Sequence, residues 1–287
     1  MDMELPKLRT RAADSHKGTF GKVLIVGGSK GMAGAPSLAG TAALKSGAGL
    51  VTVAIPASCL DIVSAHNMCY MTSPLPADDE GRVSAAAIPR LTEISEKVTS
   101  IGLGPGMSLS DDVATVVGSL YANYSGPMVV DADALNALAL LWDKLPSSKG
   151  ARILTPHIGE FRRLAGNPNM TADDCRAAAG GFAESNGVIL VLKGPETLVS
   201  NGTIQFTNTT GNAGMATGGA GDVLTGVITA LLGQGYSPME AAALGVHIHG
   251  FAGDLAAEAI GQISMNADDI AQFLPNAFQQ MGVAESS

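Results

Sequence analysis

The sequence predicts an α/β fold of three layers, in which helices cover both faces of a mostly parallel central sheet. Short runs of β-branched residues alternate along the chain with Ala- and Leu-rich stretches of helical length, which is the order that βαβ units produce. Strands in such a sheet are buried on both faces, so they are expected to be apolar throughout. A chain of 287 residues, of which 46% are hydrophobic, can bury this core as a single domain over 1–287.

The first part of the chain begins with a lead-in and then alternates between strand and helix. Residues 1–21 are polar and predict an extended segment, of which 1–15 precede the domain proper. The run 23–26 ends at two glycines and predicts a buried strand. An Ala- and Leu-rich helix is predicted over 34–47, and a second strand over 50–56, which stops at a proline.

The middle of the chain repeats this pattern. A helix is predicted over 84–97, and a strand over 98–103 runs into a Gly-Pro-Gly turn. A further helix begins at Asp111, because acidic residues in a first turn suit the helix dipole. The runs 128–133 and 152–157 predict two more strands, of which the first ends in acidic residues.

The next segment contains the clearest strand in the sequence. Thr171 caps an Ala-rich helix that is predicted over 171–186. The run 188–194 is predicted as a strand. It is followed by a hairpin over 197–207 that turns at Asn201-Gly202.

Composition excludes several classes of protein. The 17 basic and 26 acidic residues give a net charge of −9, which argues against nucleic-acid binding and means that local donors must bind any anionic ligand. The 3 cysteines form no zinc or disulfide pattern, as expected in a reducing cytoplasm. The sequence shows no signal peptide and no membrane-spanning run, so a cytoplasmic protein that binds no membrane is expected.

The loops that follow the predicted strands are expected to meet. Parallel α/β sheets bind ligands beyond the carboxyl ends of their strands. Small residues dominate the loops there, so the site should be built largely from backbone groups. The loops concerned are 27–29, 104–106, 131–133, 155–157, 193–194 and 211–222.

The most specific of these loops is 211–222. It ends in Gly218-Gly219-Ala220-Gly221-Asp222 at the start of a predicted buried helix, where unpaired N–H groups and partial positive charge favour a phosphate. Asp222 would lie beside that phosphate. It could accept a proton from a hydroxyl that attacks the terminal phosphoryl group, or it could merely cap the helix or complement its dipole. Spacing alone leaves both roles open.

A family resemblance covers nearly the whole chain. The motifs that carry it are, in order, HKGTFGKVLIVGGSKGMAGAPSLAGTAALKSGAGLVTV (16–53), GLGPG (102–106), VVDADALNAL (129–138), LTPHIGEFRRL (154–164), VLKGPETLV (191–199) and GNAGMATGGAGDVLTG (211–226). Together they resemble the ADP- or ATP-dependent NAD(P)H-hydrate dehydratases of the ribokinase-like superfamily. The resemblance implies a ribokinase-like fold and a metabolite-repair lyase. Such an enzyme dehydrates (6S)-NADHX or (6S)-NADPHX to NADH or NADPH, and releases phosphate and AMP or ADP.

The resemblance also implies roles for particular residues. Asp222 would be the catalytic proton acceptor and would contact the substrate. The other substrate-binding positions would be Ala35, Gly104, Gly106 and His157. The nucleotide-binding positions would be Lys193, Gly194, Pro195, Glu196, Thr197, Asn212, Gly219, Ala220 and Gly221.

A metal ion and partners are implied in the same way. Mg²⁺ would bridge nucleotide oxygens, mostly through water, and Glu160, Asp131 and Asp133 are candidates for its outer shell. The match begins near His16, so no N-terminal epimerase domain is expected and a separate NAD(P)HX epimerase should act in the pathway. The resemblance also suggests a homo-oligomer, a tetramer.

Two other functions stay open. A kinase of the same fold, acting on a hydroxymethylpyrimidine, a thiazole alcohol or a sugar alcohol, would use the same helix N-terminus and Asp222. His157, followed by Glu160, resembles the dehydratase form of a motif in which several related kinases carry Asn instead of His. A non-catalytic nucleotide-binding protein is the third alternative, and the intact Asp222 argues against it.

Four polar residues keep a structural alternative. Lys193 ends a buried strand, where it either binds phosphate or pairs with an acid. Asp131 could cap a helix that begins near Ala132. His247 and His249 lie two apart on a predicted helix, so they point in different directions and are expected to pack in the core rather than bind a metal.

Overall fold

A nine-stranded sheet forms the centre of the protein. The computed structural model describes residues 1–282, and residues 283–287 of the predicted domain lie outside the described part. The strands are β1 (Lys22–Val26), β2 (Leu50–Pro56), β3 (Met71–Leu75), β4 (Ser100–Leu103), β5 (Met128–Val130), β6 (Arg152–Leu154), β7 (Ile189–Leu192), β8 (Leu198–Ser200) and β9 (Gln205–Thr207). Their order across the sheet is β3-β2-β1-β4-β5-β6-β7-β8-β9.

The α-helices pack on both faces of this sheet. They are α1 (Gly34–Lys45), α2 (Leu60–His66), α3 (Ile88–Ser95), α4 (Asp111–Asn123), α5 (Ala132–Leu141), α6 (Ile158–Leu164), α7 (Ala172–Asn186), α8 (Ala220–Gly233), α9 (Pro238–Ile260) and α10 (Ala267–Met281). Side-chain caps start several of them, as Thr171 does for α7 by accepting a hydrogen bond from Asp174 N at 3.1 Å. No helix within residues 1–282 is both long and apolar enough to cross a membrane.

The strand pairing confirms a mostly parallel sheet. Every pair from β3 through to β7 is parallel, whereas β8 and β9 extend the sheet as an antiparallel hairpin. Because β1, β4, β5, β6 and β7 run side by side in one direction, their carboxyl ends share one edge of the sheet. That edge carries the candidate site.

Each face of the sheet has its own hydrophobic core. Val129 of β5 faces the core formed by α8, α9 and α10. Its neighbours Met128 and Val130 face the opposite core, formed mainly by α4, α5, α6 and α7. This alternation explains why the strands are apolar at every position, and it confirms the predicted three layers.

The end of β5 differs from the sequence prediction. The strand predicted over 128–133 stops at Val130, because Asp131 is already the N-cap of α5. Ala132 then adopts a positive φ of 51°, which a non-glycine residue rarely does. The Asp131 side chain at this turn accepts hydrogen bonds from Lys193, after β7, and Thr225 of α8.

Other strands end earlier than predicted for local reasons, and some strands and helices were not predicted at all. The strand predicted over 152–157 ends at Leu154, since the next residues turn into α6. β3 was missed because it is an edge strand with polar residues and a proline rather than an apolar run. Helices α2, α6 and α10 were not predicted from the sequence either.

Arg152, at the start of β6, is 1% exposed and holds the end of α4. Its Nε and Nη2 donate to the Tyr121 carbonyl at 2.9 and 2.6 Å, and Nη2 also reaches the Tyr124 carbonyl. Nη1 donates to the Gly126 carbonyl at 2.9 Å. Burial lowers the pKa of Arg152 to about 10, so the guanidinium stays charged at neutral pH and satisfies helix-terminal carbonyls.

We expect Arg152→Met to lower the free energy of unfolding by about 3–5 kcal/mol, because it leaves several buried carbonyl groups without donors. Urea denaturation measures this loss. Arg90→Met is the matched control, since Arg90 pairs with exposed Glu93 on the surface of α3 and surface ion pairs contribute about 0–1 kcal/mol. Equal stabilities of the two variants would contradict the structural role of Arg152.

Candidate active site

The loops at the carboxyl edge of the sheet meet as the sequence predicted. Gly28 N, after β1, donates to the Pro105 carbonyl, after β4, at 2.8 Å. Lys193 N, after β7, donates to the Pro156 carbonyl, after β6, at 2.9 Å. Backbone bonds therefore join neighbouring loops along this rim of the site.

Gly104 and Gly106 allow this rim to pack closely. A Cβ at Gly104, where φ is 126°, would lie 1.8 Å from the Asp131 carbonyl oxygen. A Cβ at Gly106 would lie 2.7 Å from the Met32 carbonyl oxygen and 3.0 Å from Ala35 Cβ. The family resemblance implies that both glycines contact the substrate. The protein's own backbone already excludes a side chain at both positions, whatever ligand lies beside them.

The N-terminus of α8 presents amide groups that have no acceptor. Gly219 is the N-cap with φ 93°, and no side chain caps the helix. Within residues 1–282, no acceptor takes the N–H groups of Gly221 or Asp222. A Cβ at Gly219 would lie 2.7 Å from Leu38 Cδ1 of α1, so glycine permits both the turn and the close packing. These donors can bind phosphate oxygens.

Asp222 lies in the first turn of α8 and does not cap it. Burial is the largest cause that raises its pKa to about 7, and the neighbouring Asp131 carboxylate raises it further, while the Lys193 ammonium opposes the shift. A partly buried carboxyl group that titrates near neutrality beside free amides is suited to accept a proton. The structure thus favours the catalytic role over the capping role.

Lys193 and Asp131 form an ion pair next to these amides. Lys193 Nζ lies 2.6 Å from Asp131 Oδ1 and 3.9 Å from Glu160 Oε2. Burial acts to lower the pKa of Lys193, but the Asp131 and Glu160 carboxylates outweigh it and the pKa is raised. Asp131 is 1% exposed, and its Oδ2 accepts the Thr225 hydroxyl of α8 at 2.8 Å.

The ion pair resolves two of the structural alternatives. Asp131 occupies the N-cap position of α5, but its side chain makes no cap hydrogen bond there, because its oxygens accept from Lys193 and Thr225 instead. Lys193 pairs with an acid, and it also lies near the anion-binding amides, because a Cβ at Gly221 would be 3.2 Å from its Nζ. The pair therefore holds an ammonium group in place beside the helix N-terminus.

His157 is the N-cap of α6. The ring Nδ1 of His157 accepts hydrogen bonds from Gly159 N at 2.9 Å and Glu160 N at 3.3 Å. The backbone N–H of His157 donates to Glu160 Oε2 at 2.8 Å. Burial, followed by Lys193, lowers the pKa of His157, so the ring is neutral at pH 7. Burial also raises the pKa of Glu160 to about 7, although Lys193 opposes this shift.

A cavity of about 970 Å³ opens beside the N-terminus of α8, which is a volume suited to a nucleotide. Of the predicted nucleotide-binding positions, Gly219 alone does not line it. His157, predicted for the substrate, lines this cavity too. Asp222 lies instead near Gly219, on the side of α8 that contacts α1, the helix that carries Ala35. The first turn of α8 thus lines the cavity through Ala220 and Gly221, while Asp222 lies next to Gly219, which packs on α1.

One wall of the cavity was not predicted from the sequence. Val246, His249 and Gly250 line it from one face of α9, where spacings of three and four residues bring side chains together. His249 was expected in the core, yet it contributes to this wall, and burial lowers its pKa to about 4. The other lining residues that were missed are Asn208, Thr209, Thr210 and Leu224.

Comparisons with known sequences identify the family of the chain. The family model described as NAD(P)H-hydrate dehydratase matches residues 23–276. The bifunctional NAD(P)H-hydrate repair enzyme of Moorella thermoacetica is 44% identical over 278 residues, which cover 96% of this chain and 52% of that protein. The ADP-dependent (S)-NAD(P)H-hydrate dehydratase of Neisseria meningitidis is 38% identical over 257 residues, which cover 88% of this chain and 83% of that protein. The chain spans about half the length of the bifunctional relatives.

Solved structures show the same fold. The ADP/ATP-dependent NAD(P)H-hydrate dehydratase of Bacillus subtilis, co-crystallised with ATP and Mg²⁺, has a TM-score of 0.84 at 28% identity and covers 96% of this chain and 95% of its own. Phosphofructokinase-2 of Escherichia coli shares the fold alone, with a TM-score of 0.56 at 16% identity. The match covers 84% of this chain and 86% of that protein. The ribokinase-like prediction is confirmed, and the chain belongs to the NAD(P)H-hydrate dehydratase family.

Proposed function

We propose that the protein dehydrates the S-hydrate of NADH or NADPH with the use of ADP or ATP. The arrangement at the N-terminus of α8 carries this proposal: free amides beside a nucleotide-sized cavity, and the Asp222 carboxylate on the side that contacts α1. The names of the relatives support it, since one is ADP-dependent and another ADP/ATP-dependent.

The chemistry begins with a phosphoryl transfer. Asp222 accepts the proton of the hydroxyl on the hydrated nicotinamide ring while that oxygen bonds to the terminal phosphorus of the nucleotide. The bond from this phosphorus to the bridging oxygen breaks, so ADP leaves as AMP, or ATP as ADP. The ring nitrogen lone pair then expels phosphate, and loss of a proton from the adjacent carbon restores the double bond. Phosphate leaves more readily than hydroxide, which is why the reaction consumes a nucleotide.

Protein groups stabilise the transferring phosphoryl group. The N–H groups of Gly221 and Asp222 point out of the helix end, and the Lys193 ammonium lies beside them. Because the chain carries a net charge of −9, these local donors must overcome a repulsive field. Asp131 holds the ammonium in position through the 2.6 Å ion pair.

Mg²⁺ fits this site as an ion carried by the nucleotide. Within residues 1–282 no three acidic, His or Cys side chains gather in a metal-binding group. Both Asp131 oxygens are engaged, by Lys193 and Thr225. Mg²⁺ keeps most of its waters and phosphate ligands, so an outer-shell contact with Glu160 suffices. When bound, it would neutralise charge on the phosphates.

The test is to mix the protein with (6S)-NADHX, Mg²⁺ and either ADP or ATP. We expect recovery of the NADH absorbance together with equimolar phosphate and AMP or ADP. Failure with both nucleotides would overturn the proposal. A phosphorylated product without NADH would indicate the kinase alternative, and nucleotide binding without any product would indicate the non-catalytic one.

The pH dependence of kcat/KM reports on the proton acceptor. Asp222 must be ionised to act, and its pKa is raised to about 7. We therefore expect kcat/KM to fall roughly tenfold per pH unit below this pKa. Glu160→Gln is the control because the pKa of Glu160 is also raised to about 7. If Asp222 is the proton acceptor, kcat/KM of this variant still falls at low pH. If Glu160 is responsible instead, the fall disappears.

Besides the residue roles and Mg²⁺, three further expectations from the sequence stay predictions. They are a separate epimerase that supplies the S-hydrate, a homotetramer, and a cytoplasmic location. Size-exclusion chromatography with light scattering measures the second of these directly, and a monomer would contradict it.

A further inference from the structure

The pocket loop, residues 208–217, forms a wall of the cavity beside α9 and leads directly into the N-terminus of α8. Nearly all of its residues line the cavity. Gly211 has φ 104°, so the chain turns sharply where the loop meets α9. The position of this loop therefore determines the shape of the nucleotide site.

One carboxylate on α9 holds the turn of the pocket loop. Asp254 Oδ2 accepts a hydrogen bond from Gly211 N at 2.8 Å, and Asp254 Oδ1 accepts one from Asn212 Nδ2 at 2.9 Å. The same Asn212 amide donates to the Gly253 carbonyl at 2.9 Å, and its Oδ1 accepts from Gly214 N at 2.9 Å. The Asn212 side chain is thus used for holding the loop.

Small residues on α9 let the pocket loop lie directly on the helix. A Cβ at Gly250 would be 2.3 Å from Thr210 Oγ1, and a Cβ at Gly253 would be 2.3 Å from Met215 Sδ. The Thr210 hydroxyl also donates to the His247 carbonyl at 2.8 Å. The backbone of the pocket loop thus lies against the backbone of α9, and Asp254 supplies the charged contact at the turn.

We infer that Asp254 is a positioning residue for the nucleotide. It acts through Gly211 and Asn212, which it holds against α9 so that the pocket loop keeps the form of the nucleotide wall. Asn212, predicted to bind nucleotide, serves as the partner of Asp254 in this contact. The inference rests on the proposed function only in taking the cavity as the nucleotide site.

The test compares Asp254→Asn with wild type by calorimetric titration with Mg·ADP and Mg·ATP. An asparagine at 254 has one acceptor oxygen for two donors, so we expect the nucleotide Kd and KM to rise roughly tenfold or more. The value of kcat at saturating nucleotide should change much less than KM, which a general loss of folding would not produce. Glu258→Gln, an exposed acid one turn further along α9, is the matched control and should leave Kd unchanged.

Other variants and outcomes complete the test. Asn212→Ala removes the partner of the same bond and should weaken nucleotide binding too, with an effect that is not additive with Asp254→Asn. If Asp254→Asn does not fold, Asn212→Ala alone decides. Nucleotide Kd equal to wild type in the folded variants would overturn the inference. Weakened nucleotide binding in a protein that never yields NADH would leave it standing while the dehydratase function fails.

Discussion

Asp222→Asn is expected to lower turnover of the hydrate by roughly 10³-fold or more, because an amide cannot accept the hydroxyl proton. Nucleotide affinity should change little, since the amides of Gly221 and residue 222 and the Lys193–Asp131 pair stay in place. Single-turnover kinetics and calorimetric titration with Mg·ATP separate the two effects. Turnover within threefold of wild type would show that another group takes the proton.

The same substitution should also raise stability at alkaline pH. The pKa of Asp222 lies near 7 in the folded protein, against 3.8 for the free side chain, so the folded state loses stability as pH rises between these two values. An asparagine does not ionise, so the Tm of Asp222→Asn should exceed that of wild type at pH 8 and approach it near pH 4. Asp61→Asn, an exposed acid in the first turn of α2, is the control and should alter neither turnover nor Tm.

Lys193→Met is expected to reduce both turnover and stability. Removing the ammonium takes away charge stabilisation of the phosphoryl group, at a cost in kcat of roughly 10²–10³-fold. It also leaves Asp131, which is 1% exposed, as an unpaired buried acid. Such a loss costs about 3–5 kcal/mol of unfolding free energy, measurable by urea denaturation.

A double variant separates these two effects. In Lys193→Met combined with Asp131→Asn, no buried charge is left unpaired, so we expect stability to recover substantially while turnover stays low. Recovery of turnover along with stability would mean that Lys193 serves the fold alone. Full turnover in the single variant would remove Lys193 from the proposed mechanism altogether.

The sequence predicted much of the fold because its strands are buried on both faces. Uniform apolar runs such as 23–26 and 188–194 correspond to β1 and β7 within one or two residues. Elements that lie at the periphery were missed, since β3 is an edge strand and α10 is amphipathic with a polar outer face. Such segments bury only one side, so their composition resembles that of loops.

Sequence by itself also determined the groups at the N-terminus of α8. Gly219, Gly221 and Asp222 are neighbours in the chain, and a helix that starts among glycines must present its amides, so their chemistry is a local property. The tertiary structure alone decided what surrounds them. Asp131 meets Lys193 across 62 positions and Thr225 across 94, and α9 brings Asp254 to the pocket loop. Contacts between such distant residues arise from packing, and no local pattern in the chain encodes them.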